Sequence, residues 1–480
     1  MNAPSIRELR EAIVQALPIE TSTYGGTPDK KTVYVPPSHV KALRLECNLV
    51  IGARGVGKTF WSAALRSDII RDVLGRSIPD LSKVRFHTGF GERSETNAYP
   101  DSDVFGNLLS KGYEAYHVWR AVMARWLAGL AGQEIPIASW DQTVEWVSSH
   151  PEDLARLFER VDAELGDKGA YGLIVFDALD RSSTEWRTMD SIIRDLLRMI
   201  LFLKRFPRLH GKVFLREDQF AGRPITDFPD ASKLLATRVD LTWGANDLHG
   251  LLWQYLCNAD QAGSELRKFF EDAALQKLTY TSDIWTIPEV AKRDGAIQRR
   301  LFSGLAGDWM GNDRRRGVPY VWSVSHLADG RGLTSPRSFL AAIRAAADYS
   351  STRYPEYALA LHYESIKRGV QTASEIRVSE LSEDYPWVRS LMRPLRGLTV
   401  PCQFEAVSDR WQTDPGNTAT LSSERLPPEH HELGWPGLRR DLESLGLFES
   451  MKDGRVNMPD LYRVGFGLGR RGGVKPIPRS

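Results

Sequence analysis

The chain has 480 residues, enough for two or three domains of ordinary size. Its 63 basic residues against 61 acidic ones leave a net charge of +2, which excludes wholesale electrostatic binding of nucleic acid and leaves room only for a local basic patch. Cys47, Cys257 and Cys402 lie far apart with no Cys-x-x-Cys spacing, so neither a zinc site nor a disulfide framework is expected.

A reducing, cytoplasmic setting fits that cysteine usage. The N-terminus carries Arg7 and Glu8 where a secretory signal would need an apolar core. No apolar run reaches the ~18 residues of a membrane helix. The longest candidate, Leu196 to Phe206, is interrupted by Arg198, Lys204 and Arg205.

Residues 1–40 read as a leader, with a short helix at Ile6–Ala16 and a Gly/Pro/Lys stretch ending at Pro36-Pro37. Leu45–Ile51 reads as a short buried strand. It runs straight into Gly52-Ala53-Arg54-Gly55-Val56-Gly57-Lys58-Thr59, the G-x-x-x-x-G-K-[ST] phosphate-binding loop, and Phe60–Leu65 continues as a helix. Lys83–Gly89 is the second expected strand. A helical insertion follows over about 103–165, with Tyr113, Tyr116, Trp119 and Trp126 on one face. That stripe reads first as packing onto the sheet and second as a partner surface. Tyr171–Asp177 is the strongest strand, its continuous apolar run fitting a central parallel strand covered on both faces. Lys212–Arg216 and Arg238–Trp243 are the fourth and fifth.

Strands alternating with helices call for an α/β parallel sheet. Residues 245–350 read as entirely helical, and from about 365 the pattern changes to short helices and turns. Near the end, a helix at Leu438–Gly446 precedes a hairpin over Leu447–Met458 with an Asp453-Gly454 turn, the pattern of a winged helix-turn-helix. From Gly454 to Ser480 six basic residues face one acid, a local surplus that points to nucleic-acid contact or to an intramolecular latch. The expected domains are 1–40, a leader; 41–245, the nucleotide core; 246–360, a helical lid; and 361–480, a winged-helix-like domain.

The loop supplies the first half of the chemistry. Gly52, Arg54, Gly55, Val56, Gly57, Lys58, Thr59 and Phe60 would surround the nucleotide, with backbone N–H groups and the helix N-terminus facing the phosphates. Lys58 reaches the β- and γ-phosphates, and the Thr59 hydroxyl ligates Mg²⁺. Asp177, after four apolar residues at the C-terminal edge of a parallel strand, is placed to hold the same ion, directly or through its water. Asp180, three residues on, is placed to orient or deprotonate the attacking water.

Arg216 ends the fourth strand, which in this architecture lies between the loop strand and the Asp177 strand, so its tip faces the γ-phosphate as a sensor 1 residue. A salt bridge with Glu217 or Asp218 is the alternative. Arg337 sits on the first turn of a helix capped by Ser335 with Pro336 at N1, as a sensor 2 arginine does. Arg181 is a further arginine that could act in cis or in trans, and the charge run Asn312–Gly317, with Arg314, Arg315 and Arg316, reads first as a solvated loop and second as an arginine finger for a neighbouring subunit. His430-His431 lacks further ligands at metal spacing and reads as structural.

Together, Gly52–Thr59, Leu173–Arg181, Lys212–Arg216 and Arg238–Trp243 resemble the STAND and AAA+ side of the P-loop ATPases. Leu179-Asp180-Arg181 is similar to the motif ending of KAP-type bacterial NTPases. Asp177-Ala178-Leu179-Asp180 is similar to that of NACHT-like proteins, with Arg181 where those usually carry Glu. The resemblance implies a sheet ordered 5-1-4-3-2, a helical lid and a C-terminal winged helix. It also implies ATP with Mg²⁺, nucleotide-driven conformational change and homo-oligomerisation. Many bacterial members act in antiphage defence, controlling a separately encoded effector. A DNA-dependent ATPase working through the winged helix, and a scaffold holding structural ATP, are the rival expectations.

Overall fold

The structure, a computed structural model, describes residues 5–18, 26–413, 421 and 425–476. The chain divides into two compact units, one formed by Ser22–Lys30 and Val35–Thr242, the other by Met1–Thr21, Lys31–Tyr34 and Trp243–Ser480. The arginine at 479, counted in the basic tail, lies outside the described residues.

The first unit is built on five parallel strands: β1 (Leu49–Gly52), β2 (Val84–Phe90), β3 (Tyr171–Phe176), β4 (Leu209–Arg216) and β5 (Val239–Asp240). Their order is β2-β3-β4-β1-β5, which from the other edge is the expected 5-1-4-3-2 of a P-loop NTPase sheet. Every residue of β1 and all but the first of β3 are buried, the mark of strands covered on both faces. β4 starts three residues earlier than the apolar run suggested, because Leu209, His210 and Gly211 pair with β3. β5 is only two residues long.

Lys212 sits fully buried in the middle of β4. Its ammonium donates to the carbonyls of Ala42, Arg44 and Cys47, so a charge inside the sheet ties down the segment entering β1.

The insertion consists of helices Ser102–Ser110, Ala115–Ala131, Trp140–Ser149 and Pro151–Asp167. Its aromatic stripe packs inward at two of the four positions. Trp119 is fully buried, edge-on to Phe176 at 5.4 Å, and Trp126 stacks on His87 at 6.0 Å. Tyr116 stays half-buried beneath the Arg198 guanidinium.

In the second unit, the helix Ile6–Ala16 is an integral part of the packing. The buried Arg10 donates to the carbonyls of Pro355, Tyr357, Leu359 and Ala360. Two expectations fail here. Residues 245–350 are not all helical: β6 (Thr279–Thr281) and β7 (Ile284–Thr286) form an antiparallel hairpin. Threonine, tyrosine, isoleucine and tryptophan favour strand. Ser282 and Asp283, at φ +54° and +62°, provide the two left-handed residues of a tight turn. After 360 the chain does not break into short pieces at once, because Tyr363–Asp384 is a 22-residue helix packed beside Pro336–Arg353.

The C-terminal part is a winged helix. Helices Phe404–Gln412 and Trp435–Ser444 are followed by the hairpin β8 (Glu449–Ser450) and β9 (Val456–Asn457). Cys402 pairs antiparallel with Val456 as a third, single-residue strand, and Gly454 takes φ +84° in the wing turn.

Candidate functional site

The loop joining β1 to the helix Lys58–Arg66 depends on its glycines. A Cβ at Gly52 would lie 2.6 Å from Val56 Cγ2 and 3.3 Å from Leu241 Cβ. Gly55 and Gly57 adopt φ +80° and +104°, where a side chain is strained. Gly57 is the N-cap of the helix, so the first-turn N–H groups and the positive dipole end open at the loop. The Lys58 ammonium folds over it and donates to Gly52 O at 2.8 Å and Ala53 O at 2.9 Å. Burial, then the nearby Arg216 guanidinium, push its pKa down to about 8, against the pull of Asp177, Asp180 and Asp218.

Arg54 and Phe60 are half-exposed on the rim of the loop, with Phe60 edge-on to Trp61 at 5.1 Å. Trp61 is buried, and its indole N–H donates to His39 Nδ1 at 3.1 Å. The other His39 nitrogen, 3.0 Å from Thr242 O, therefore carries the proton and donates. Burial pushes the pKa of this histidine down to about 4, so it is a neutral strut beneath the loop.

Asp177 follows β3 directly and is buried. Burial raises its pKa to about 6, opposed by the Ala178 N–H, by Lys58 and by a hydrogen bond from the Thr59 hydroxyl. That last contact brings together the two residues expected to hold Mg²⁺. A hydroxyl and a carboxylate at one point suit a hard cation that takes its remaining oxygens from phosphates and water. Ala178 then adopts φ +55°, a left-handed conformation that costs about 1–2 kcal/mol in a non-glycine residue. It turns the chain sharply into Leu179–Arg181, the turn that carries Asp180.

Arg216 lies across from Gly52 in the β1–β4 register, so the fourth strand delivers it to the mouth of the loop. Its guanidinium grips Asp218 through two contacts of 3.0 and 3.1 Å and stands 3.6 Å from Asp180. The alternative reading, a salt bridge with Asp218, is met, at the end of a strand that lies between β1 and β3. Arg181 pairs with Glu92 at 3.2 Å. Glu92, two residues beyond β2, escaped sequence reading.

Other candidates have local partners. Arg337, in the second unit, pairs with Glu380 at 2.6 Å. Arg314–Arg316 is an exposed turn capped by Asp313. His430 binds Asp441 at 2.6 Å and His431 binds Pro428 O at 2.8 Å, and among the described residues no group of three metal-type side chains occurs. The basic tail is partly spent internally. Arg463 is fully buried on Asp460 and on the carbonyls of Leu468 and Val474, Arg470 also reaches Asp460, and Arg455 pairs with Asp453. No described helix is long and apolar enough to cross a membrane.

No family model matches the chain, and no curated protein does. Among solved structures it is similar to the ORC2 protein of Aeropyrum pernix in ADPNP–ADP complexes, at 11% identity and TM-score 0.41 over 90% of this chain and 93% of that one. It is also similar to the ORC1 protein of Aeropyrum pernix in complex with DNA, at 14% identity and TM-score 0.35 over 94% and 93%. A third is Cdc6p from Pyrobaculum aerophilum, at 11% and 0.32 over 91% and 94%. Likeness this loose decides nothing about ligand or partner.

Proposed function

We propose that this chain is an ATP-binding and ATP-hydrolysing P-loop switch of the AAA+/STAND kind, working as a homo-oligomer in the cytoplasm. The observation that carries the reading is the meeting of Thr59 and Asp177 beneath a glycine loop whose lysine is already folded over it. The backbone N–H groups of Gly55–Thr59 and the Lys58 ammonium would hold the β- and γ-phosphates. Thr59 and Asp177 would hold Mg²⁺, which supplies charge neutralisation across those phosphates. Arg216, held by Asp218 and facing Asp180, would register the γ-phosphate. Arg337 is the sensor 2 residue by resemblance. Adenine is the base by resemblance as well, since no Asn-Lys-x-Asp guanine-reading motif occurs in the sequence.

No nuclease, protease or deaminase signature is visible in the sequence, which supports output through a separately encoded effector, as in bacterial antiphage systems. The second reading is a DNA-dependent ATPase. It is favoured by exposed Arg440 on the second helix of the winged domain and exposed Lys452 in the wing.

The test is ATP turnover by wild type and Lys58→Ala, with and without duplex DNA, with particle mass recorded in the same samples. Turnover that needs Lys58, ignores DNA and accompanies a multimer supports the switch. Stimulation by DNA supports the second reading. Equal turnover in the Lys58→Ala variant refutes the loop assignment.

A further inference from the structure

The strand edge that carries Asp177 carries a second carboxylate from its neighbour. β2 and β3 run parallel with Phe90 across from Phe176, and the Asp177 N–H donates to Phe90 O at 3.0 Å. Glu92, two residues past β2, therefore emerges at the same end of the sheet as Asp177. A small cavity of about 20 Å³ lies there, lined by Thr59, Asp177 and Glu92 together with Arg66, Glu95 and Tyr99. That is room for about one water molecule.

The polar groups around it are mostly engaged. Glu95 pairs with Arg66 at 3.3 Å, Asp177 takes the Thr59 hydroxyl, and Glu92 Oε1 takes Arg181. Glu92 Oε2 is buried with no hydrogen-bond partner. A buried carboxylate oxygen left alone is costly, and a water in the adjoining space is the partner within reach. Asp180 does not line this cavity, and its carboxylate faces Arg216 instead.

We propose that Glu92, from the strand beside the Asp177 strand, is the carboxylate that orients and deprotonates the attacking water, while Asp180 acts through Arg216. The inference rests on the ATPase reading above. The water oxygen bonds to the γ-phosphorus as the bridging P–O bond breaks. ADP leaves with that electron pair, and the water's proton passes to Glu92 Oε2 and then to solvent. Arg181 fixes the other oxygen, so the carboxylate presents one free lone-pair edge to the water. The role differs from that of Asp177, whose contact is with the metal-binding hydroxyl.

The experiment measures, on the full chain, the affinity for a fluorescent ATP analogue with Mg²⁺, steady-state turnover, and the ATP:ADP ratio of bound nucleotide, for wild type, Glu92→Gln and Asp180→Asn. Glutamine keeps the shape and can still accept from Arg181, and retained nucleotide affinity itself reports an intact fold. The expected result for Glu92→Gln is affinity within about threefold of wild type, turnover down by about 10²–10⁴, and bound nucleotide shifted from ADP to unhydrolysed ATP. Asp180→Asn should lose less and leave ADP on the protein. Wild-type turnover in Glu92→Gln overturns the proposal and leaves the ATPase reading standing. Parallel loss of affinity and turnover overturns it too, by assigning Glu92 a structural role. A wild type that binds ATP without turning it over, or binds none, overturns both.

Discussion

The guanidinium of Arg216 stands 3.6 Å from the Asp180 carboxylate while it grips Asp218 at 3.0 and 3.1 Å. Arginine is suited to this double duty because its planar fork can hold one carboxylate with two N–H groups and leave another edge for a phosphate. Arg216→Gln leaves two half-buried carboxylates without their cation. Stability should fall by about 2 kcal/mol, less than for a fully buried pair because all three side chains keep some solvent access. kcat should fall by about 10–100-fold with KM for ATP nearly unchanged, since the lost contact matters most as charge builds on the γ-phosphate. Arg216→Lys should recover part of the stability and little of kcat. Chemical denaturation and steady-state kinetics check both, and an unaltered kcat in Arg216→Gln removes the sensing role.

Affinity for Mg-ATP should be bell-shaped in pH. Binding requires Asp177 ionised and Lys58 protonated, and burial has moved the two toward each other, to about 6 and about 8. Below about pH 6 the metal must displace a proton from Asp177, so affinity drops by up to tenfold per pH unit. Above about pH 8 the phosphates must re-protonate Lys58, and affinity drops again. Asp177→Asn should flatten the acid limb and Lys58→Met the alkaline one, each on a lower plateau. Without nucleotide, the folded protein releases the Lys58 proton near 8 while the unfolded chain holds it to about 10.5, so this group makes stability rise with pH across that window. Nucleotide titrations from about pH 5 to about pH 9 check the profile, and a flat one refutes the pairing of these two groups as binding determinants.

How much of this was legible follows from how local each signal is. Gly52–Thr59 and Phe176-Asp177 are contiguous motifs whose strands announce themselves by apolar runs, so the strands could be read directly, while their order followed only from the resemblance those motifs carry. Arg216 was legible as a polar residue ending an apolar strand. Glu92 was not: Gly91-Glu92-Arg93-Ser94 is an ordinary polar loop, and only the pairing of β2 with β3, whose partners such as Val84 and Tyr171 lie 87 residues apart, sets it beside Asp177. The β6–β7 hairpin carried a readable signal in Tyr280, Trp285 and the Ser282-Asp283 turn, which was overlooked within a mostly helical stretch. Arg463 shows the limit of counting charges, since it looks like one more cation in a basic tail and is fully buried on Asp460.

Trp119 links the insertion to the site. Its ring meets Phe176, the residue before Asp177, and Phe105 at 5.0 Å, and its indole N–H donates to Ile192 O at 2.9 Å. Trp119→Ala opens a large cavity, which should cost about 3–5 kcal/mol and weaken Mg-ATP binding by loosening the end of β3. Tyr116→Ala, at a half-buried position one turn away, should cost about 1 kcal/mol or less. Denaturant midpoints of the two variants check the contrast. Equal effects would mean that the stripe does not divide into a buried and an open half.

The winged helix offers few cations to a nucleic-acid backbone. Arg463 is buried, Arg470 and Arg455 are matched by Asp460 and Asp453, and Arg439 by Glu443. Among the described residues, Arg410, Arg425, Arg440, Lys452, Arg471 and Lys475 are exposed on the surface of this region. Each neutralised phosphate of duplex DNA adds about 0.9 to the slope of log affinity against log salt. Six such cations therefore give a slope no steeper than about −5.5 even if every one meets a phosphate. Duplex DNA should then bind weakly, and should change ATP turnover by less than about twofold. The double variant Arg440→Glu with Lys452→Glu should flatten the slope by about 2 and leave turnover unaltered. A slope steeper than about −6, with turnover that rises on DNA and falls in the double variant, would instead make the winged helix the input of a DNA-dependent ATPase.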